Sequence, residues 1–362
     1  MNRMKKSMDG QAGFSLIEMM VAMAVMLIVA GIVMQAMMQM LKVQGSMANR
    51  SEMHSSIRSA TELMQQEIGQ AGKVSLPTPA APLTLATAVT VPTGLDSITV
   101  PVSVSAATTG MFNGEYLVVD VGNDMTLPGT PDKQETVQIS GLTGSGFTAT
   151  FTKSHLSGAP ILLQGAFGTG IVPPDQPTLA AMGVVLPASF PAPLAAGVGS
   201  SGNVLKLYGD LNGDGNMLYA EYVCDTAGAN GTGNLYRNTM PYDLAPGAKT
   251  ARNSSMIILN NLSRNPANAA GVVTPCFTYT VSPTNNVVFV VNVGITLTAQ
   301  SVLQDPQTHQ FQTESKALLN VSPRNVYQAW MLSGAGLNYR VQPMPPSIYD
   351  PLTGLGLLTT TP

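Results

Sequence analysis

An apolar run near the start of the chain constrains its fold more than any other feature. From Phe14 to Leu41 the only charged residue is Glu18, and Met19–Met34 contains no polar side chain. A helix of about 20 apolar residues is long enough to cross a bilayer, so the run predicts a membrane-spanning helix. Residues 1–13 are polar and carry more basic than acidic side chains. This pattern predicts that residues 1–13 stay in the cytoplasm and that the body crosses the inner membrane.

A cleaved secretory signal peptide is the main alternative for this run. No small-residue cleavage site follows the run at a suitable distance, and Glu18 stands inside the run near its start. A carboxylate at membrane depth costs several kcal/mol unless it is paired. Glu18 is therefore expected to need a positively charged partner, and its position indicates a function.

The segment Gly13-Phe14-Ser15-Leu16-Ile17-Glu18, followed by the apolar stretch, resembles the processing site of type IV pilins and type II secretion pseudopilins. The resemblance implies that a prepilin peptidase cuts after Gly13 and methylates the new amino terminus at Phe14. It also implies that Glu18 pairs with the N-terminal amine of a neighbouring subunit when pilin helices pack into a filament. An ammonium is a charge that satisfies a buried carboxylate. A plain signal anchor is the alternative interpretation of this segment.

The N-terminal helix is predicted to cover residues 14–72, with 14–41 as its transmembrane part and later the filament core. No proline precedes Pro77. Apolar residues recur at helical spacing in its second half, which predicts a stripe packed on a core. The stripe consists of Met53, Ile57, Ala60, Met64, Ile68 and Ala71.

The remaining chain is predicted to be rich in strands and loops. Charged residues make up 10 % of the chain, and it contains 35 Gly and 26 Pro. Residues 73–202 are interpreted as a Pro/Gly-rich linker with an inserted β module at 102–165, and 203–325 as the main β-sheet domain. Residues 326–362 are interpreted as a C-terminal tail. The predicted class is α+β, with a long N-terminal helix packed on an antiparallel sheet and a large β-rich insertion between them.

Weaker similarities support the same interpretation of the body. The stretches Met64–Gly72, Glu221-Tyr222-Val223, Asn234–Arg237 and Ser322–Asn325, and the order of the strands, resemble PilW-type minor pilins and the J-type secretion pseudopilin. The resemblance covers residues 14–72 and 203–325, and implies the type IV pilin fold. The insertion at 73–202 and the chain after Asn325 depart from the family pattern.

One segment matches a calcium-loop template. Carboxylate and amide side chains alternate before Gly215, which allows a sharp turn, and an acidic residue follows at the spacing of the closing ligand. The predicted ligands are Asp210, Asn212, Asp214, Asn216 and Glu221. The flanking segments are predicted strands rather than the usual helices, and Asn-Gly and Asp-Gly are also favoured hairpin turns. Calcium and an ordinary turn both remain open at this point.

The two cysteines, Cys224 and Cys276, both lie in the predicted exported body. A pair in an oxidising compartment predicts a disulfide, and two unpaired buried thiols are the alternative. A disulfide across about 50 residues would stabilise the fold by roughly 4 kcal/mol in the chain-entropy model.

The composition also argues against other function classes. The formal net charge is −3 and no basic patch is visible, so nucleic-acid binding is not expected. No nucleophile, acid and base at hydrolase spacing occur, so the chain is not expected to be an enzyme. The resemblance implies a minor pilin that takes part in pilus assembly with other major and minor pilins, and the large insertion predicts a position at or near the filament tip. An adhesin module displayed on a pilus and a type II secretion pseudopilin are the alternatives.

Overall fold

The computed structural model describes residues 15–76, 82–122, 132–228, 231–243 and 250–348. The chain forms two compact units, one of Met1–Glu52 with Ser301–Gln312 and the other of Met53–Gln300 with Thr313–Pro362. The predicted leader 1–13, the cleavage residues Gly13 and Phe14, and the tail beyond 348 lie outside the described residues.

Helix α1 extends over Leu16–Gln70. It begins at Ser15, whose backbone N–H donates to the Glu18 carboxylate at 3.1 Å. Two residues after its last residue, Gly72 takes a left-handed φ of +82°, a backbone conformation that glycine adopts readily after the end of a helix. The Gly72 N–H donates to the Tyr208 carbonyl at 2.9 Å, so the helix exit is hydrogen-bonded to a strand of the main sheet.

The predicted apolar stripe of α1 is confirmed. All six of its side chains are buried in the core of the main sheet, none more than 6 % exposed. Burying one large apolar side chain stabilises a fold by about 1.5–3 kcal/mol. The stripe therefore holds this part of the helix on the sheet through side chains spaced three and four residues apart.

The main sheet has seven antiparallel strands in the order β12-β13-β11-β10-β9-β8, with β14 also paired to β13. All seven strands lie within residues 203–325, the segment interpreted as the main β-sheet domain. The strands are β8 (Val204–Gly209), β9 (Leu218–Asp225), β10 (Thr232–Pro241), β11 (Ile257–Ser263), β12 (Phe277–Thr284), β13 (Val287–Gln304) and β14 (Phe311–Val321). A long N-terminal helix followed by antiparallel sheets confirms the predicted α+β class, consistent with a pilin fold.

The inserted module is a second antiparallel sheet with a hydrophobic core of its own. Its strand order is β1-β6-β3-β4-β5-β2. The strands are β1 (Leu83–Thr84), β2 (Ile98–Ser103), β3 (Tyr116–Val119), β4 (Glu135–Thr143), β5 (Gly146–Phe151) and β6 (Pro160–Leu163). The sheet begins before residue 102, where the module was expected to start. Strand β2 accommodates Pro101 because it lies at the sheet edge, where one side of the strand needs no hydrogen-bond donor.

Short elements connect the two sheets and extend into the predicted tail. Helix α2 (Gln176–Ala181) is capped by the Asp175 side chain, and β7 (Ala166–Phe167) pairs in parallel with β15 (Val341–Gln342). Helix α3 (Arg324–Gly334) packs its buried side chains into the core of the main sheet. Part of the segment interpreted as a tail is thus an element of the folded body.

A buried carboxylate joins α1 to the main sheet. Glu67 is 2 % exposed; it accepts a hydrogen bond from the Tyr222 hydroxyl at 2.5 Å and one from Arg237 Nε at 3.0 Å. Burial opposes the charge on Arg237, but its hydrogen bonds to Glu67 outweigh this and raise the pKa of Arg237 above its usual value.

We expect Glu67→Ala to destabilise the docking of α1 by about 3–5 kcal/mol, because it leaves Arg237 without its partner in a half-buried site. Urea unfolding of the full chain in detergent, followed by hydrogen exchange of the helix, measures this. Glu62→Ala is the control, since Glu62 forms an exposed pair with Arg58 on the same helix and exposed pairs contribute little. Equal stability of the two variants would contradict the prediction.

Candidate functional site

Glu18 lies in the first turn of α1, at the third helical position. Its Oε2 accepts the Ser15 N–H, which is the carboxylate half of a capping box. This bond satisfies one hydrogen-bond donor but neutralises no charge. Among the described residues no basic side chain forms an ion pair with Glu18. That Glu18 pairs with a cation stays a prediction.

Gly13 and Phe14, the residues predicted for cleavage and methylation, precede the first described residue. The structure places Glu18 one helical turn after this point and gives no geometry for the two residues themselves. Cleavage after Gly13 and methylation of Phe14 stay predictions.

The large apolar side chains of α1 between Leu16 and Leu41 are all exposed, by 54 to 79 %. The helix is long and apolar enough to cross a membrane, with a mean hydropathy of 2.6 over its most apolar window. Exposed apolar surface on this scale marks a membrane or protein contact. This part of α1 needs lipid or other helices around it.

The predicted calcium loop is organised around Asp210. Its Oδ2 accepts hydrogen bonds from Lys73 Nζ at 2.7 Å, Ser75 Oγ at 2.8 Å and Gly215 N at 3.3 Å. Burial would raise the pKa of Asp210, but the bonds from Lys73 and Ser75 outweigh it and hold this pKa below its usual range. Asp214 accepts the Asn216 N–H at 2.9 Å, as in an ordinary Asx turn.

The structure does not bring Glu221 to this loop. Glu221 is buried on β9 directly opposite Lys206, where its Oε1 accepts the Tyr219 hydroxyl at 2.6 Å and lies 4.0 Å from Lys206 Nζ. Asp210 follows Lys206 by four residues, a separation of about 13 Å along a strand. One ion with bonds of about 2.4 Å cannot contact both carboxylates. In the described part of the chain, no group of three or more His, Cys, Asp or Glu is arranged to hold a metal.

The structure joins Cys224 on β9 to Cys276, which directly precedes β12. Both residues are buried in the core of the main sheet. Strands β9 and β12 are not neighbours in the sheet order, so the disulfide links parts of the sheet that no hydrogen-bond ladder connects directly.

A buried histidine in the inserted sheet has two carboxylate partners. His155 Nδ1 lies 2.9 Å from Asp120 Oδ2, and Nε2 lies 2.6 Å from Glu135 Oε1. Burial lowers the pKa of His155, but the bonds to the two carboxylates outweigh it and raise this pKa above its usual value. The bonds from His155 and Thr152 likewise hold the pKa of Glu135 low against the effect of burial. The arrangement favours an imidazolium between two carboxylates.

This cluster was not predicted, because its residues come from three separate positions in the chain and match no local motif. It forms because Asp120 follows β3, Glu135 begins β4 and His155 follows β5, and these strands are neighbours in the sheet. Lys153 and Asp132 form a further ion pair beside it at 2.7 Å.

The cluster predicts a defined pH dependence for the inserted sheet. Folding raises the pKa of His155, so its stabilisation is complete below about pH 6.5, the unfolded value, and is lost as pH rises through the folded pKa. Folding lowers the pKa of Glu135, so its stabilisation is present above about pH 4.3 and is lost as pH falls through the folded pKa. The sheet should resist proteolysis best between these two values and less well at pH 8.5.

We expect His155→Phe to abolish the loss of resistance between pH 6 and 8.5, and to lower resistance at pH 6, because two carboxylates lose their cationic partner. Proteolysis of 83–163 in the full chain at a series of pH values measures this. His54→Phe is the control, since His54 makes an exposed contact with Glu314. A pH profile of His155→Phe parallel to that of the unchanged chain would contradict the assignment.

A protein-family profile described as a prokaryotic N-terminal methylation motif matches residues 8–34. No curated protein and no solved structure matches the chain significantly. The matched residues contain the predicted cleavage site, Glu18 and the start of the apolar run.

The motif and the exposed apolar helix both point to membrane anchoring followed by assembly into a filament. A prepilin motif implies processing by prepilin peptidase and assembly with other pilins, and the apolar helix provides the anchor before assembly. The motif also indicates a structural subunit. Together these features support a type IV pilin-like protein, a pilin or pseudopilin subunit that is first anchored in the membrane and later assembled into a filament.

Proposed function

We propose that this chain is a minor type IV pilin of the PilW type, which takes part in initiating the filament. The observation that carries the proposal is the prepilin motif, which includes the start of an apolar run. The one carboxylate of this run, Glu18, has no cationic partner among the described residues. Cleavage after Gly13 would free the amine of Phe14. This amine on a neighbouring subunit is the ammonium that would pair with Glu18.

The body would stand in the periplasm before assembly and outside the cell afterwards. A position at or near the filament tip is supported by the inserted sheet, which adds a second hydrophobic core and more bulk to the body. A subunit within the shaft has neighbours on all sides, whereas a tip subunit has free space around it. The disulfide between Cys224 and Cys276 suits an oxidising compartment.

An adhesin displayed on a pilus is a second candidate function. It is favoured by one observation, the separate hydrophobic core of the inserted sheet. Deletion of 83–163 distinguishes the two functions. Loss of filaments would assign the sheet to assembly, and intact filaments with lost surface binding would assign it to adhesion. A type II secretion pseudopilin would use the same N-terminal chemistry, and would differ by export of a protein substrate.

We also propose that the loop around Asp214 is a weak calcium site, supported by the oxygen side chains of Asp210, Asn212, Asp214 and Asn216. The geometry limits its affinity, because Glu221 is held elsewhere and Lys73 already pairs with Asp210. Calcium has to compete with this ammonium for the carboxylate.

Calorimetry with calcium on the full chain in detergent tests the loop. We expect a dissociation constant in the range of 10⁻⁴–10⁻³ M, typical of weak extracytoplasmic sites. We also expect tighter binding in Lys73→Gln, because the competing cation is removed. Asp214→Asn should abolish the heat. Absence of heat in both the unchanged chain and Lys73→Gln would contradict a calcium site.

The decisive variant for the assembly function is Glu18→Ala. We expect it to be processed to the same mature form but to enter filaments at least about tenfold less, because a membrane-depth charge pair worth a few kcal/mol is lost. Quantitative immunoblotting of sheared filaments against the membrane fraction measures the ratio. Glu52→Ala removes an exposed carboxylate from the same helix and serves as the control. Equal incorporation of Glu18→Ala and Glu52→Ala would refute the pairing role.

A further inference from the structure

The turn that joins β13 to β14 belongs to the same compact unit as the first part of α1. It is closed by the Asp305 N–H, which donates to the Gln310 carbonyl at 2.8 Å, and by the His309 N–H, which donates to the Asp305 carbonyl. Asp305 Oδ1 accepts the Gln307 N–H at 2.8 Å. We name residues 301–312 the hairpin tip.

The polar groups of the hairpin tip contact α1. Ser46 Oγ donates to Asp305 Oδ2 at 3.1 Å, and Gln312 Nε2 donates to both of these atoms at 2.8 and 2.9 Å. Asn49 Nδ2 donates to the Leu303 carbonyl at 3.3 Å. These bonds fix the tip on one short stretch of the helix.

Gly45 permits the close approach of this turn. A Cβ atom at position 45 would lie 3.3 Å from Pro306 Cγ, which is tighter than an ordinary van der Waals contact. Glycine inside an exposed helix costs about 1 kcal/mol relative to alanine. The close contact with Pro306 explains why glycine suits position 45.

Three large apolar side chains of the hairpin tip are exposed. Val302, Leu303 and Phe311 are 62, 64 and 45 % exposed. The turn itself also exposes polar side chains, those of Gln304 and of residues 307–310, as hairpin turns normally do. Val302, Leu303 and Phe311 lie on the two strands that flank this turn, and exposed large apolar side chains of this kind mark a surface that another apolar surface can cover.

We propose that the hairpin tip is a second assembly surface, covered in the filament by the apolar N-terminal helix of a neighbouring pilin subunit. The proposal rests on the proposed function. A neighbouring N-terminal helix is the expected partner because the hairpin tip adjoins the exposed apolar run of α1. Gly45, which contacts the tip, lies four residues, about 6 Å of helix, beyond Leu41, the last residue of that run. The tip therefore continues the surface that neighbouring helices have to cover.

Charge is consistent with this occupant. Between Val302 and Phe311 the only acidic or basic residue besides His309 is Asp305, and its carboxylate is already bonded to Ser46 and Gln312. Hydrogen bonds from Gln307 and Gln312 hold the pKa of Asp305 below its usual value. An apolar helix can thus contact the tip without burying an unpaired charge of this segment.

Photo-cross-linking in purified filaments tests the proposal directly. A benzophenone amino acid replaces Leu303, and in a second strain it replaces Val185, which is 89 % exposed on the body. We expect position 303 to cross-link to the N-terminal helix of another subunit, identified by mass spectrometry, and position 185 not to. The cross-link should vanish in unassembled membranes and in the Glu18→Ala background.

Two results distinguish failure of the proposed function from failure of this inference alone. If the chain never enters filaments, the proposed function fails and the inference fails with it. If it enters filaments but position 303 cross-links only to lipid, to a soluble protein or to nothing, the inference is overturned and the proposed function stands.

The double variant Val302→Ser, Leu303→Ser measures the contribution of the surface. We expect unchanged abundance in the membrane and incorporation reduced at least about tenfold, since two large apolar side chains lose their burial. Val272→Ser, Val273→Ser is the matched control, because these residues are also adjacent, apolar and exposed. Equal incorporation of the two double variants would overturn the inference. If the first variant is unstable, the cross-link at position 303 in the otherwise unchanged chain decides.

Discussion

The exposed apolar side chains of α1 between Leu16 and Leu41 impose the constraint on which the rest of the molecule depends. No described part of the chain buries them, so their covering has to come from lipid before assembly and from other helices afterwards. In the proposed function, Glu18 would fix the depth at which neighbouring helices pack, because its charge would pair with a cation at one level. This part of the helix is therefore a membrane anchor before assembly and an interface with other helices afterwards.

The second half of α1 has the opposite property. Its apolar stripe is covered by the main sheet, and Glu67 adds a buried polar connection to Tyr222 and Arg237. The helix exit at Gly72 is hydrogen-bonded to Tyr208. These contacts connect the residues of α1 from Met53 onward to the main sheet. The inserted sheet has its own core, so changes within it need not alter these contacts.

Periodicity explains which features the sequence predicted well. Helical spacing identified the buried stripe from Met53 to Ala71, because this pattern is local. The Asp120–His155–Glu135 cluster depends on strand neighbours, and no local pattern carries that information. Glu221 fits a linear calcium template, yet its strand register places it opposite Lys206. Helix α3 was missed because its few buried positions lie in a segment that departs from the family pattern.

The most direct test of the central claim is the mass of the mature amino terminus. The chain is purified from sheared filaments, digested, and its N-terminal peptide is analysed by tandem mass spectrometry. The account predicts that this peptide begins with N-methylated Phe14 and lacks residues 1–13. A filament-derived chain that still begins at Met1, or that has been cut after the apolar run, would contradict it.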